Sequence, residues 1–230
     1  MPTHRYPQRM TDDGVTIEHG LPDALRDQAV EVFEEAFGEK LRTTVRDADK
    51  RKEFMRRSFV AQNCLVARRS DELLGMAGLS TRGAPHGGGL MGSSWDVRPY
   101  RDLLGWVGAM WAVWGTRMAD HRPKADEMYV DGIAVAPAAR GLGIGTRLLG
   151  GTTDLARANG KRFVRLDVID RNPRAQALYE RLGYRVTKVQ SFRYKERWVG
   201  FGAMISMELR VPPTTDGADQ PSRPWPADAP

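Results

Sequence analysis

The apolar positions along the chain follow two periods. Val15 and Ile17 alternate with polar neighbours, which predicts a short strand. From Leu21 to Phe37 the residues Leu25, Ala29, Phe33 and Phe37 recur every fourth position, the period of a helix. Pro22 suits its first turn, Asp23 its positive end, and Gly38 its C-cap. A more charged helix is expected over 45–59, with Phe54 and Met55 facing the core. Cys64 to Ala67 and Leu73 to Leu79 read as a hairpin around Ser70-Asp71-Glu72. Gly75 and Gly78 thin its second strand, where a ligand or another backbone could come close.

The second half repeats the alternation. A strand, Tyr129 to Val135, is stopped by Pro137, and a helix follows to Ala158 with Leu148, Leu149, Leu155 and Ala156 as core candidates. Asn159-Gly160 ends that helix. Phe163 to Val168 is a strand with Val164, Leu166 and Val168 on one face. Asn172-Pro173 opens another helix, which carries Ala175, Leu178, Tyr179 and Leu182 and stops at Gly183. Tyr184 to Val189 and Phe201 to Leu209 are expected strands.

Two stretches break the rhythm. Residues 81–93 are glycine-rich and expected to be flexible. Tyr100 to Met118 places Leu103, Leu104, Val107, Met110, Trp111, Trp114 and Met118 at helical spacing. Its apolar run is shorter than the ~20 residues a bilayer crossing needs. It reads first as a buried or lid helix, then as a dimer face, then as a membrane-surface helix. The element order gives an α/β or α+β fold with a mixed sheet. The expected organisation is a loose N-terminus (1–13), one domain (14–210) with a helical insertion (95–122), and a proline-rich disordered tail (211–230).

Composition adds little to that picture. The chain has 230 residues, 41% hydrophobic, enough for a sizeable core. The lone cysteine, Cys64, cannot form an internal disulfide, and it lies in a strand-like run as a buried thiol would. No CxxC and no histidine cluster suggests a metal. The basic N-terminus lacks the apolar run of a signal peptide, so a cytoplasmic protein without a membrane partner is expected. The net charge of +6 fits an anionic ligand or a basic surface. The basic residues are spread out and not interleaved with aromatics, which argues against nucleic acid. Arg46, Lys50, Arg51 and Lys52 read as a solvated face.

The candidate chemistry begins at Arg140-Gly141-Leu142-Gly143-Ile144-Gly145. This loop offers bare N–H groups at a helix N-terminus, an anion site in which glycine permits close approach. It lacks the Gly-Lys-Ser/Thr of a P-loop, and Thr146 stands where a dinucleotide fingerprint needs its third glycine, although Asp167 is suitably spaced for a ribose contact.

Taken with the strand Ile133-Ala134-Val135 and the segment Asn172 to Tyr184 (NPRAQALYERLGY), the loop Arg140-x-x-Gly143-x-Gly145 resembles the GNAT superfamily, the Gcn5-related N-acetyltransferases. The resemblance is strong over 127–185 and rests on element order alone over 14–80 and 186–210. It implies a single domain with a mixed, mostly antiparallel twisted sheet flanked by helices. It also implies acetyl-CoA as co-substrate, without a metal. The pyrophosphate would lie on the N–H groups of Gly141, Leu142, Gly143, Ile144 and Gly145, with Thr146 at the helix start and Arg140 nearby. The pantetheine would pair with Ile133, Ala134 and Val135, between them and Asn172 and Ala175. The family opens this slot with a bulge, for which Asp131-Gly132 is the candidate; a hairpin turn is the rival reading of Asp-Gly.

The implied reaction is attack of an amine on the thioester. An amine of pKa about 10.4 must lose a proton, which a carboxylate can accept. Asp131 and Glu127 are the candidates, each of which could equally be a partnered structural carboxylate; Tyr129 stands where some members carry a catalytic Glu. Tyr179 matches the tyrosine that serves the leaving thiolate, and Asn172 is either a pantetheine contact or a plain N-cap. The insertion could roof the acceptor site or be an extra packed helix. The acceptor would be a small-molecule or peptide amine, and the protein a monomer or homodimer. A non-catalytic acyl-CoA-binding module on the same fold is the alternative.

Overall fold

The computed structural model describes residues 9–10, 13–42, 45–84, 88–91, 123–192 and 201–213. The insertion helix expected over 100–118 and nearly all of the C-terminal tail lie outside them. The strands are β1 (Arg9–Met10), β2 (Thr16–His19), β3 (Cys64–Arg69), β4 (Glu72–Thr81), β5 (Glu127–Val135), β6 (Phe163–Ile169), β7 (Arg185–Ser191) and β8 (Ala203–Arg210). They form one sheet in the order β1-β2-β3-β4-β5-β6-β8-β7. Its pairings are antiparallel except β5 with β6. The expected mixed, mostly antiparallel sheet is therefore observed, and a helix, α3 (Ile144–Ala158), connects its one parallel pair.

Two cores sandwich the sheet. On one face α3 buries Ile144, Leu148, Leu149, Leu155 and Ala156 against Leu65, Leu79, Met128 and Val164. The helix α4 (Pro173–Arg181) sets Ala175, Leu178 and Tyr179 against the same core. On the other face lie α1 (Arg26–Leu41) and α2 (Ala48–Ser58), with Ala29, Val30 and Met55 over Val66, Met76 and Ala134. Phe54 and Met55 are buried as their spacing predicts, and Asp47 caps α2 by accepting the Lys50 N–H at 3.0 Å.

Three expectations need correction. Gly38 does not end α1, which runs on to Leu41. A side chain at 38 would collide with the Glu34 carboxyl, so the glycine makes room for Glu34 within the helix. Arg51 does not belong to a solvated face: it is 6% exposed, pairs with Glu34, and donates to the carbonyls of Val45 and Arg46, both at 2.8 Å. Burial of a guanidinium is tolerable because these partners satisfy it. Part of the stretch expected to be a flexible loop is pinned: Leu90 is buried, its carbonyl accepts the Val60 N–H at 2.8 Å, and Asn63 Nδ2 donates to Gly89 O at 2.8 Å.

Candidate active site

The pairing of β5 changes along its length. It pairs with β4 from Met128 to Val135, but with β6 only from Glu127 to Val130. At the point of separation the β4 register shifts: Gly78 opposes Gly132 while Leu79 opposes Val130. Asp131 is the extra residue, so Asp131-Gly132 forms a bulge and not a hairpin turn. Beyond it one edge of β5 is unpaired among the described residues. The Ala136 N–H bonds Leu74 O at 2.9 Å, so in the same register Ala134 and Gly132 face β4. By the alternation of an antiparallel ladder, Ile133 and Val135 then turn their N–H and C=O groups to the open edge.

The glycine loop follows β5 through Pro137–Ala139. Gly141 and Gly143 both adopt positive φ, 82° and 75°. No side chain caps α3; its first internal bond runs from Arg147 N–H to Gly143 O at 3.1 Å. Among the described residues, the N–H groups of Gly141, Gly143, Ile144, Gly145 and Thr146 have no acceptor, whereas Leu142 donates to Ala139 O at 3.4 Å. Such a row of free donors at a helix start suits an anion. Arg140 instead pairs across the molecule with Glu35 of α1 at 3.0 Å, both half exposed.

The helix α4 closes the other side. Asn172 acts as its N-cap, Oδ1 accepting the Ala175 N–H at 3.2 Å. A methyl placed on Gly145 would touch Leu178 at 3.5 Å, which puts the start of α3 against α4. Tyr179 is half-buried with its ring 5.9 Å from that of Tyr184. Burial pushes its hydroxyl above the usual phenol range, so it is protonated at neutral pH and available as a donor. Its hydroxyl has no partner among the described residues.

The two carboxylates proposed as bases have different surroundings. Glu127 is buried and committed to cations: Arg165 lies at 3.2 Å and Lys124 at 3.6 Å, while its Oε2 accepts the Lys124 N–H at 3.1 Å. Asp131 has no cation beside it among the described residues. Its Oδ2 accepts the Leu90 N–H at 2.7 Å, and Gly78 leaves the space its carboxyl fills, since a Cβ there would overlap Oδ1 and Leu90. Asp131 reaches solvent as a residue, yet its carboxyl is crowded by β4 and the Gly88–Met91 segment. That desolvation raises its pKa to about 6, against the opposing hydrogen bonds from Leu90 and its own N–H. Asp167, spaced for a ribose contact in the sequence, accepts the Tyr129 hydroxyl at 2.9 Å.

A family model, that of the acetyltransferase (GNAT) family, matches residues 23–184. The chain belongs to the GNAT acetyltransferase family. No curated protein matches it. Among solved structures, a GCN5-related N-acetyltransferase from Kribbella flavida is 19% identical with a TM-score of 0.56, over 87% of this chain and 99% of that one. An N-acetyltransferase from Staphylococcus aureus Mu50 is 18% identical with a TM-score of 0.57, over 84% and 99%. The protein yncA from Salmonella typhimurium, solved with its cofactor acetyl-CoA, is 16% identical with a TM-score of 0.51, over 90% and 99%. At these identities the likeness is one of fold. Among the described residues no helix of this GNAT protein is long and apolar enough to cross a membrane.

Sequence reasoning on the GNAT pattern placed a strand bulge at Asp131-Gly132 and a glycine loop at a helix start, and both are observed. It missed the placement of Leu90 and the proximity of Phe33 and Phe37 to Gly132, because neither has a local signal. The hint at Gly78 was only that a backbone or ligand could approach; what approaches is the Asp131 carboxyl.

Proposed function

We propose that the chain is an N-acyltransferase that uses acetyl-CoA and acetylates a primary amine. The observation that carries this reading is the separation of β5 from β6 at Val130, with the bulge at Asp131 and a strand edge beyond it that is unpaired among the described residues. The residues fit the co-substrate. The amides of Ile133 and Val135 are available to an arm carrying its own amides, and the free N–H groups of Gly141, Gly143, Ile144, Gly145 and Thr146 suit a pyrophosphate. In this reading Ala134, whose own backbone groups face β4, sits between the two outward amides, and Asn172 and Ala175 at the start of α4 would contact the arm. Bound there, acetyl-CoA supplies an acyl group activated as a thioester.

The protein's own part is proton movement and polarisation. Asp131, with its raised pKa and no competing cation among the described residues, is the group suited to take the amine proton, directly or through water. Glu127 is the weaker candidate, because Arg165 and Lys124 already hold it. Tyr179, protonated and half-buried, donates to the leaving sulfur. An outward N–H of the Ile133–Val135 edge can stabilise negative charge on the acyl oxygen. The test is a panel of amines, peptides and aminoglycosides offered with acetyl-CoA to the full chain, following free thiol. Amine-dependent thiol release is expected. Binding of CoA without release above hydrolysis would leave only a binding module.

A further inference from the structure

Resting on that reading of the site, we propose that the acceptor is a primary amine carried on an apolar body, aromatic or branched alkyl, with no carboxylate beside the amine. Asp131 and Gly132 both present themselves to the α1–α2 face, Asp131 against Gly78 and Leu90, Gly132 against α1. A Cβ built on Gly132 would stand 3.4 Å from Phe37 Cζ and 3.8 Å from Phe33 Cε2. The missing side chain therefore lets two aromatic rings reach the strand one residue from the Asp131 carboxylate. Phe33 and Phe37 lie 4.5 Å apart between centroids, and Phe59, itself buried, backs Phe33 edge-on at 5.4 Å. Phe33 and Phe37 keep part of their surface uncovered. Leu90 and Met91 belong to the same apolar cluster.

An ammonium drawn to Asp131 would carry its substituent onto this shelf. A hydrocarbon gains by covering the rings. A polyhydroxylated body would surrender water against the ring faces. A carboxylate next to the amine would be brought to Asp131, and Asp167 adds a second negative group on the Tyr129 hydroxyl. The substrate class thus follows from residues that flank the reacting position.

The experiment compares initial rates of thiol release from acetyl-CoA by the full-length protein with phenethylamine, isoamylamine, glucosamine and phenylalanine. The two apolar amines are expected to exceed the amino sugar and the amino acid in kcat/KM by at least about ten-fold. Phe37→Ala should raise KM for phenethylamine more than for the amino sugar, and Phe37→Leu should recover part of the loss. The wild-type comparison stands even where a variant fails to fold. Equal or faster turnover of the amino sugar or of phenylalanine overturns this inference and leaves acetyl transfer intact. No release with any amine overturns both.

Discussion

The carboxylate of Asp131 lies over the bare Cα of Gly78 and accepts the Leu90 N–H at 2.7 Å. Desolvation in that position lifts its pKa to about 6. As a base it must be ionised, so kcat/KM should rise with pH along an acidic limb centred near 6. Asp131→Asn should lower the rate and remove that limb. The stability effect has the opposite sign. A carboxyl whose folded pKa is raised binds more protons folded than unfolded between about 4 and 6, so folding loses stability as pH rises through that window. Asp131→Asn should therefore melt no lower than the wild type at pH 7.5, as pH-dependent calorimetry would reveal. Gly78→Ala, which displaces the carboxyl, should reduce the rate at every pH.

Tyr179 stands half-buried on α4, protonated and without a hydroxyl partner among the described residues. Tyr179→Phe keeps the ring and its contact with Tyr184 but removes the donor. A fall in kcat of roughly 10²-fold is expected, with the acetyl-CoA dissociation constant nearly unchanged. Steady-state rates alongside calorimetric binding separate the two. An unaltered kcat removes Tyr179 from the chemistry.

Two adjacent glycines in α3 should respond oppositely to the same substitution. Gly150 is exposed, with nothing within 4 Å of an added Cβ, so Gly150→Ala should stabilise the fold by about 0.5–1 kcal/mol through helix propensity. Gly151 faces the sheet, and an added Cβ would lie 2.9 Å from both Ile17 Cγ2 and Leu65 Cδ2. Gly151→Ala should cost about 1–3 kcal/mol by overpacking. Chemical denaturation of the two variants checks both signs.

What the sequence made legible was what is written locally. Helix periods, the Asn172 cap and the glycine loop depend on neighbours in the chain, and the structure places each of them; the bulge at Asp131-Gly132 follows only from the family resemblance, since Asp-Gly by itself favours a hairpin turn. What it hid depends on distant partners. Arg51 looks like a surface cation until Glu34, 17 residues earlier, folds onto it. Gly38 looks like a helix stop because the need it meets, space for Glu34, belongs to tertiary packing. Leu90 has no polar side chain to advertise a role, since its contribution to the site is a backbone N–H. The Tyr129–Asp167 bond joins two strands whose pairing the sequence did not state.

The pairing of Arg140 with Glu35 ties the glycine loop to α1 and competes with any phosphate for the same guanidinium. Both side chains are about half exposed, so the contact is worth no more than ~1 kcal/mol. Glu35→Gln should free Arg140 and strengthen CoA binding by roughly two- to five-fold, an effect that shrinks as salt screens the guanidinium. Gly143→Val should act in the opposite direction and more strongly. Residue 143 has φ 75°, where a branched side chain is strained, and relaxing it would turn away the donors that begin α3. Calorimetric titration of CoA at low and high salt distinguishes the two effects. Tighter binding in Glu35→Gln at low salt alone, with weaker binding in Gly143→Val at both, identifies Arg140 as an electrostatic contributor and the loop backbone as the cradle. Wild-type affinity in Gly143→Val would exclude the loop as the phosphate site.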